Sequence, residues 1–129
     1  MREIEFRGKR IDNSEWVQGC LTRYSEAMSY ITVDLLEQEV YQVHTETVGQ
    51  YTGLKGKNGK EIFEGDEVGG RFNGGKSFCL IVGWNEKKSR FDLYSNDINK
   101  RYGFSTGTID MRTLEIIDNI HDKQELLEV

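Results

Sequence analysis

Short stretches of alternating apolar and polar residues, broken by glycine-rich punctuation, run along most of this chain. Ile4-Glu5-Phe6 has period two, and Trp16-Val17 to Tyr24, Tyr30-Ile31-Thr32-Val33 and Val40-Tyr41-Gln42-Val43 are rich in aromatic and branched residues. Side chains of a strand project to opposite faces in turn, so these four pieces read as strands. Residues 34–39, Asp34-Leu35-Leu36-Glu37-Gln38-Glu39, allow a helical turn instead, although so short a piece needs packing to hold it. Glycines at 49, 53, 56, 59, 65, 69, 70, 74 and 75 punctuate the middle, as a chain of hairpins requires at positions of positive φ. The Asn58-Gly59 pair predicts a type I′ turn, and Arg71 to Lys76 a looser hairpin tip. Phe78 to Trp84 is apolar on both faces, as in a central strand; Arg90 to Tyr94 alternates as its half-exposed partner, with Asn85 to Ser89 turning between them. Ser95 to Gly103 reads as a polar loop and Leu114 to Ile117 as a last strand. Asp122-Lys123-Gln124-Glu125 is a D-x-x-E capping pattern ahead of Leu126-Leu127 and predicts a short C-terminal helix.

Strands of this length and spacing, with tight turns and one terminal helix, predict a mainly β fold, a small barrel or sandwich. At 129 residues, with no repeat and no Ser/Gly linker, the chain is expected to form a single domain over 1–129. Within it, 1–45 form an N-terminal β extension, 46–117 the barrel-like core and 118–129 the C-terminal helix. Proline is absent, which removes one common means of blunting an edge strand, so a neighbouring copy is expected to cover an exposed edge.

Composition narrows the function classes. A hydrophobic share of 36% with 14 glycines and 30% charged residues excludes wholesale disorder. The net charge of −5 argues against tight nonspecific duplex binding, which draws on many cations together, yet leaves room for a local basic face such as Lys87, Lys88 and Arg90. The longest apolar run, Phe78 to Val82, is five residues, far below the roughly 20 of a membrane helix. The first ten residues carry charge throughout and lack the apolar region of a secretory signal. Cys20 and Cys79 sit in apolar or mixed stretches and read as buried structural thiols.

Candidate chemistry is sparse. Gly70-Arg71-Phe72-Asn73-Gly74-Gly75-Lys76-Ser77 matches G-x-x-x-x-G-K-[ST], the phosphate-cradling loop of nucleotide hydrolases. That loop works from the N-terminus of a following helix, whereas Phe78 to Trp84 reads as strand, so the match is taken as a chance hairpin. His44 and His121 have no His or Cys at metal-ligand spacing, and Glu61, Glu64, Asp66 and Glu67 show no paired geometry. No catalytic, cofactor-binding or metal residue is assigned, and no enzymatic activity is expected. Tyr51 with Lys55, Lys57 and Lys60 is a candidate partner contact of basic and aromatic character for single-stranded nucleic acid. The acidic residues at 61–67 follow at once and offset its field, so nucleic acid is not the favoured partner.

The stretch Glu46 to Leu54, followed by Lys57-Asn58-Gly59-Lys60-Glu61-Ile62-Phe63-Glu64-Gly65-Asp66-Glu67-Val68, resembles the hallmark of the YopX family of phage and prophage proteins. Phe6 to Arg10 with Glu15 to Gly19 is similar to the family's opening, and Ile120 with Glu125-Leu126-Leu127 to its close. Asp118, His121 and Lys123-Gln124 depart from the pattern, where Gly, an aromatic and Asn-Pro are more usual. The resemblance implies an SH3-like barrel in a phage-encoded accessory protein that assembles with itself and meets a phage or host protein in the bacterial cytoplasm. It implies no catalytic residue. On that reading Gly49, Tyr51, Gly53, Asn58, Gly59, Gly65 and Asp66 build the scaffold, with Gly65-Asp66 making a bend that admits Val68 to the core.

Overall fold

The computed structural model describes residues 4–34, 36–95, 101–104 and 107–122. The fold is mainly β, and the chain divides into two compact units, Met1–Gly53 and Leu54–Val129. The first unit contains β1 (Phe6–Lys9), β2 (Trp16–Arg23), β3 (Ser29–Asp34), β4 (Glu39–Val43), a 3-10 turn at Thr45–Thr47 and most of β5 (Gly49–Lys55). Its antiparallel strands follow the order β4-β3-β2-β1-β5. The four strands expected from alternation are present: β2, β3 and β4 end within one residue of the expected positions, while β1 lies two to three residues later than Ile4–Phe6.

β2 changes neighbours halfway along. Trp16 to Gly19 pair with β1, and Cys20 to Arg23 pair with β3. Gly19 stands at that bend, and a Cβ there would lie 2.1 Å from the carbonyl oxygen of Thr32, a separation that only glycine permits. The bend rolls the sheet until Arg10 and Val43 form a lone bridge, flanked by Ile11 N–H donating to the Gln42 carbonyl (3.0 Å) and His44 N–H to the Lys9 carbonyl (2.8 Å). One bridge is not a ladder: the chain turns away at Ile11–Asn13 before a second pair can form. The barrel expected over 46–117 lies further along the chain and, among the described residues, is not closed either, its strands forming an open sheet. Ile31 and Val43 are fully buried and Tyr51 is 4% exposed. Trp16 lies beneath two cations, the Arg7 guanidinium at 4.6 Å and the Lys9 ammonium at 5.6 Å from its ring centre. Among the described residues of 34–39, none is helical. The Asp34 carboxylate instead accepts the N–H groups of Leu36 (2.9 Å) and Glu37 (3.1 Å), and Gln38 takes φ 57°, which makes a tight turn between β3 and β4.

In the second unit β5 runs on through Leu54-Lys55 beside β6 (Glu61–Phe63). A five-stranded antiparallel sheet of order β10-β9-β8-β7-β11 follows, from β7 (Asp66–Phe72), β8 (Ser77–Asn85), β9 (Arg90–Tyr94), β10 (Arg101–Gly103) and β11 (Ile109–Asn119). Ile62, Val68, Leu80, Val82, Leu93 and Leu114 anchor its core. β8 is central, as its apolar run predicts, but it alternates: Leu80 and Val82 are buried while Cys79 projects from the other face and is exposed. Cys20 is likewise exposed, on the same face of β2 as Gln18 and Thr22, so neither cysteine is the buried thiol expected. β10 occupies part of the expected polar loop, because Arg101 pairs with Tyr94 and its guanidinium sits 4.7 Å from the centre of that ring.

Two hairpins share one geometry. Gly56 N–H donates to the Lys60 carbonyl (2.8 Å) and Gly59 N–H to the Gly56 carbonyl (2.9 Å); Phe72, Gly75 and Lys76 repeat the pattern at 2.8 and 2.9 Å. Gly59 (φ 79°) and Gly75 (φ 94°) supply the left-handed residue of a three-residue loop. Asn58 is not among the residues of positive φ, so the expected type I′ turn is replaced by this looser form. The turn after β8 is held by Asn85, whose side-chain oxygen accepts the N–H groups of Lys87 (3.1 Å) and Lys88 (3.3 Å). Asn85 Nδ2 and Arg90 Nε each donate to the buried Asp92 carboxylate at 2.7 Å.

At the far end β11 is longer than the expected Leu114 to Ile117. The Asn119 side-chain oxygen accepts the N–H groups of His121 (3.1 Å) and Asp122 (2.9 Å), opening a helical turn at 120–122. The cap is therefore Asn119, three residues ahead of the expected Asp122, because an Asn side chain already reaches the orphan N–H groups there. The rest of the expected helix lies outside the described residues.

Candidate functional site

The scaffold residues expected around 49–66 hold backbone in place. Gly49 is buried in β5, Tyr51 N–H donates to the Glu5 carbonyl (2.8 Å), and Gly53 takes φ 88°. Gly65, at φ 92°, donates to the Val82 carbonyl (2.9 Å) and accepts from Ile120 N–H (3.0 Å). Asp66 is 1% exposed, and its carboxylate accepts Phe63 N–H at 2.8 Å, which closes the corner between β6 and β7. Of the candidate partner contacts, Lys55, Lys57 and Lys60 are exposed, while Tyr51 is buried and offers no ring face for stacking. Gly70 to Ser77 is the β7–β8 hairpin, so strand and not helix follows the loop.

A groove of about 480 Å³ lies over the outer edge of β7, β8 and β11 in the second unit. Lys57, Arg71 and Arg112 stand on its rim, and Gly69 and Gly70 form part of its floor. A bulge builds one wall. Asp110 pairs with Arg71 and Glu115 with Gly69, so four residues of β11 face the single residue Gly70. The looped segment is tied down by Thr113, whose Oγ1 accepts Arg71 N–H (2.8 Å) and donates to the Asp110 carbonyl (2.7 Å). It also presents the Leu114 carbonyl to Lys57 N–H at 2.6 Å, which brings the 56–60 turn beside the groove.

Two rim cations have carboxylate partners, Lys57 with Glu115 (3.2 Å) and Arg112 with Asp110 (3.1 Å). The hydrogen bonds from Arg112 hold the Asp110 carboxyl below the ordinary carboxylate range. Arg71 has no ion-pair partner among the described residues. Lys57 was legible as a turn cation; Arg71 and Arg112 were not, because only the bulge register carries Arg112 to the same rim. Lys87 and Lys88 lie past the opposite end of β8, on the order of 20 Å from the level of Cys79 along the strand, so the two basic stretches do not merge.

The first unit carries a different surface. Thr22, Tyr24, Met28, Tyr30, Thr32 and Val40 line an open groove of about 520 Å³ across β2, β3 and β4. Tyr24 is 74% exposed, Val40 48% and Met28 42%, and the Tyr24 and Tyr30 rings meet edge to face at 5.3 Å. Alternation along β3 and the register with β4 were the signal for this face: Tyr30 and Thr32 share it with Val40, which pairs with Thr32. β4 is the outer strand of this sheet, and its far side meets the lone bridge at Val43.

His44 Nδ1 lies 3.7 Å from Glu46, and His121 packs beside Gly65, so the two histidines do not meet. Among the described residues no group of three or more His, Cys, Asp or Glu side chains is placed to hold a metal ion, and no helix is long and apolar enough to cross a membrane. No curated protein matches the chain. The resemblance carried by residues 46–68 does extend over nearly its whole length: the family model described as YopX protein matches residues 5–128, and the chain belongs to the YopX family.

Proposed function

We propose that this chain is a non-enzymatic interaction module that assembles with itself through the β2–β3–β4 face, and that it serves a phage or prophage in the bacterial cytoplasm by contacting a phage or host protein. The exposed apolar groove beside the edge of β4 carries the reading: Tyr24, Met28 and Val40 leave more hydrophobic surface in water at one place than scattered surface residues do. A second copy fits this edge. Gln42 and His44 direct their backbone groups toward Lys9 and Ile11, so by alternation Val40 directs its own outward. Antiparallel pairing of two copies about Val40 sets Glu39 opposite Tyr41 of the other copy, and the Arg10 guanidinium stacks 4.0 Å from the centre of that ring. Such a contact is self-complementary, as a two-fold dimer requires.

Light scattering after gel filtration at 10 and 100 µM tests it. The expected mass is twice that of one chain or more, falling to a single chain in Tyr24→Ser/Val40→Lys with unchanged circular dichroism. A single-chain mass for the unaltered protein at both concentrations removes the reading.

A further inference from the structure

We infer that the groove over β7, β8 and β11 binds the phosphodiester backbone of single-stranded nucleic acid. Three cations from separate segments of chain converge on its rim: Lys57 from a turn, Arg71 from β7 and Arg112 from the β11 bulge. Arg71 has no acidic partner among the described residues. Lys57 is held by the exposed Glu115, and Arg112, itself largely exposed, by the half-buried Asp110; pairs open to water on at least one side are weak and can exchange for a phosphate. Arginine is suited to this exchange, because its planar fork offers two parallel donors to one phosphate.

The positive charge at the groove is local. Residues 54–129 hold 12 of the 17 basic residues against 13 acidic ones, and of those acids Asp66 and Asp92 are buried at 1% exposure, the latter paired with Arg90, so the unit as a whole is close to neutral. Floor and wall favour a nucleotide over an acidic peptide. Gly69 and Gly70 let the side chains of Ile117 and Phe78 settle against the β7 backbone, and Ile117, 55% exposed, offers an apolar surface against which a flat base can rest. Arg112 and Ile117 share one strand and Arg71 the next, so a strand of nucleic acid lying along the groove meets charge and apolar surface in succession. The Lys57 end of the turn singled out by its lysines joins this site, whereas Lys87 and Lys88 stand outside it.

Fluorescence anisotropy with a 15-nucleotide oligo-dT, on the full chain, provides the test. With three phosphates neutralised on a single strand, the slope of log affinity against log salt is about −2, so raising sodium chloride from 20 to 200 mM is expected to weaken binding about 100-fold. In Arg71→Gln/Arg112→Gln the slope falls to about −0.7 and affinity at 20 mM drops at least tenfold, with the melting temperature retained. Lys87→Gln/Lys88→Gln changes affinity less than twofold. Absence of saturable binding at 20 mM overturns the inference, as does an unaltered slope in the arginine variant. Competition by a 15-residue poly-glutamate peptide as effective as unlabelled oligo-dT assigns the groove to acidic peptides and overturns it as well.

Discussion

Gly19→Ala is the most economical probe of how the first unit is rolled. The added methyl would sit 2.1 Å from the Thr32 oxygen, 2.8 Å from its carbonyl carbon and 3.2 Å from the Val33 Cα. All three are backbone atoms, so no side chain can swing aside. Restoring ordinary contact requires β2 and β3 to part by about 1 Å at the point where β2 passes from one neighbour to the other. Overpacking of that kind costs roughly 1–3 kcal/mol, and for a domain of this size each kcal/mol moves the melting temperature by about 3–5 °C. A fall of roughly 3–15 °C is therefore expected by calorimetry. Gly53→Ala separates crowding from backbone conformation, because Gly53 has φ 88° and nothing within 4 Å of its added Cβ. Hydrogen exchange locates the damage: amides of Cys20 to Arg23 and Ser29 to Thr32 should lose protection while those of β7 and β8 keep it. A Gly19→Ala protein with the parental melting temperature and parental protection in β2 and β3 would refute the close crossing at Gly19.

Two further outcomes follow from geometry elsewhere. Gly65→Val forces a branched residue into φ 92° and should cost about 1–3 kcal/mol, whereas Gly65→Asn, which tolerates that region better, should lose less; equal melting temperatures for both variants and the parent contradict the corner at Gly65-Asp66. Arg112→Gln removes the hydrogen bonds that depress Asp110, so a carboxyl-detected NMR titration should show its midpoint rising toward the ordinary range. The sign follows from the depression: the stabilising effect of ionised Asp110 is present above the unfolded-state value near roughly pH 4 and fades as pH falls through the lower folded value. An unmoved midpoint in the variant shows that Arg112 is not the cause.

Alternation was enough to find nearly every strand, since period two is imposed by the pleat itself and survives whatever packs on it. It failed where distant parts of the chain decide the outcome. Gly103 and its neighbours read as loop because the three-residue strand β10 has little pattern of its own and is held by pairing with β9. Asn119 caps the helical turn without a sequence pattern of its own, since it closes a strand as well, whereas the D-x-x-E pattern three residues later has the regular spacing of a cap. The resemblance pointed to a closed barrel over 46–117, but the strands there end in an open sheet with β10 and β11 at its edges, and no local signal reports whether two edge strands meet. The candidate site was half legible. Lys57 announced itself in a glycine turn, while the company it keeps depends on four residues facing one across β7 and β11, a mismatch that no window of sequence displays.

That mismatch has a consequence for the surface it builds. Pairing resumes on both sides of residues 111–114, with Ile109-Asp110 before and Glu115 onward after, so the segment is a splice point inside a strand. Within it Thr113 and Leu114 are tied to β7 and the core, whereas Met111 and Arg112 are exposed, so changes at those two positions alter one bank of the groove and leave the flanking ladder in place. The surface chemistry of that bank is thereby separated from the hydrogen bonding of the sheet beneath it.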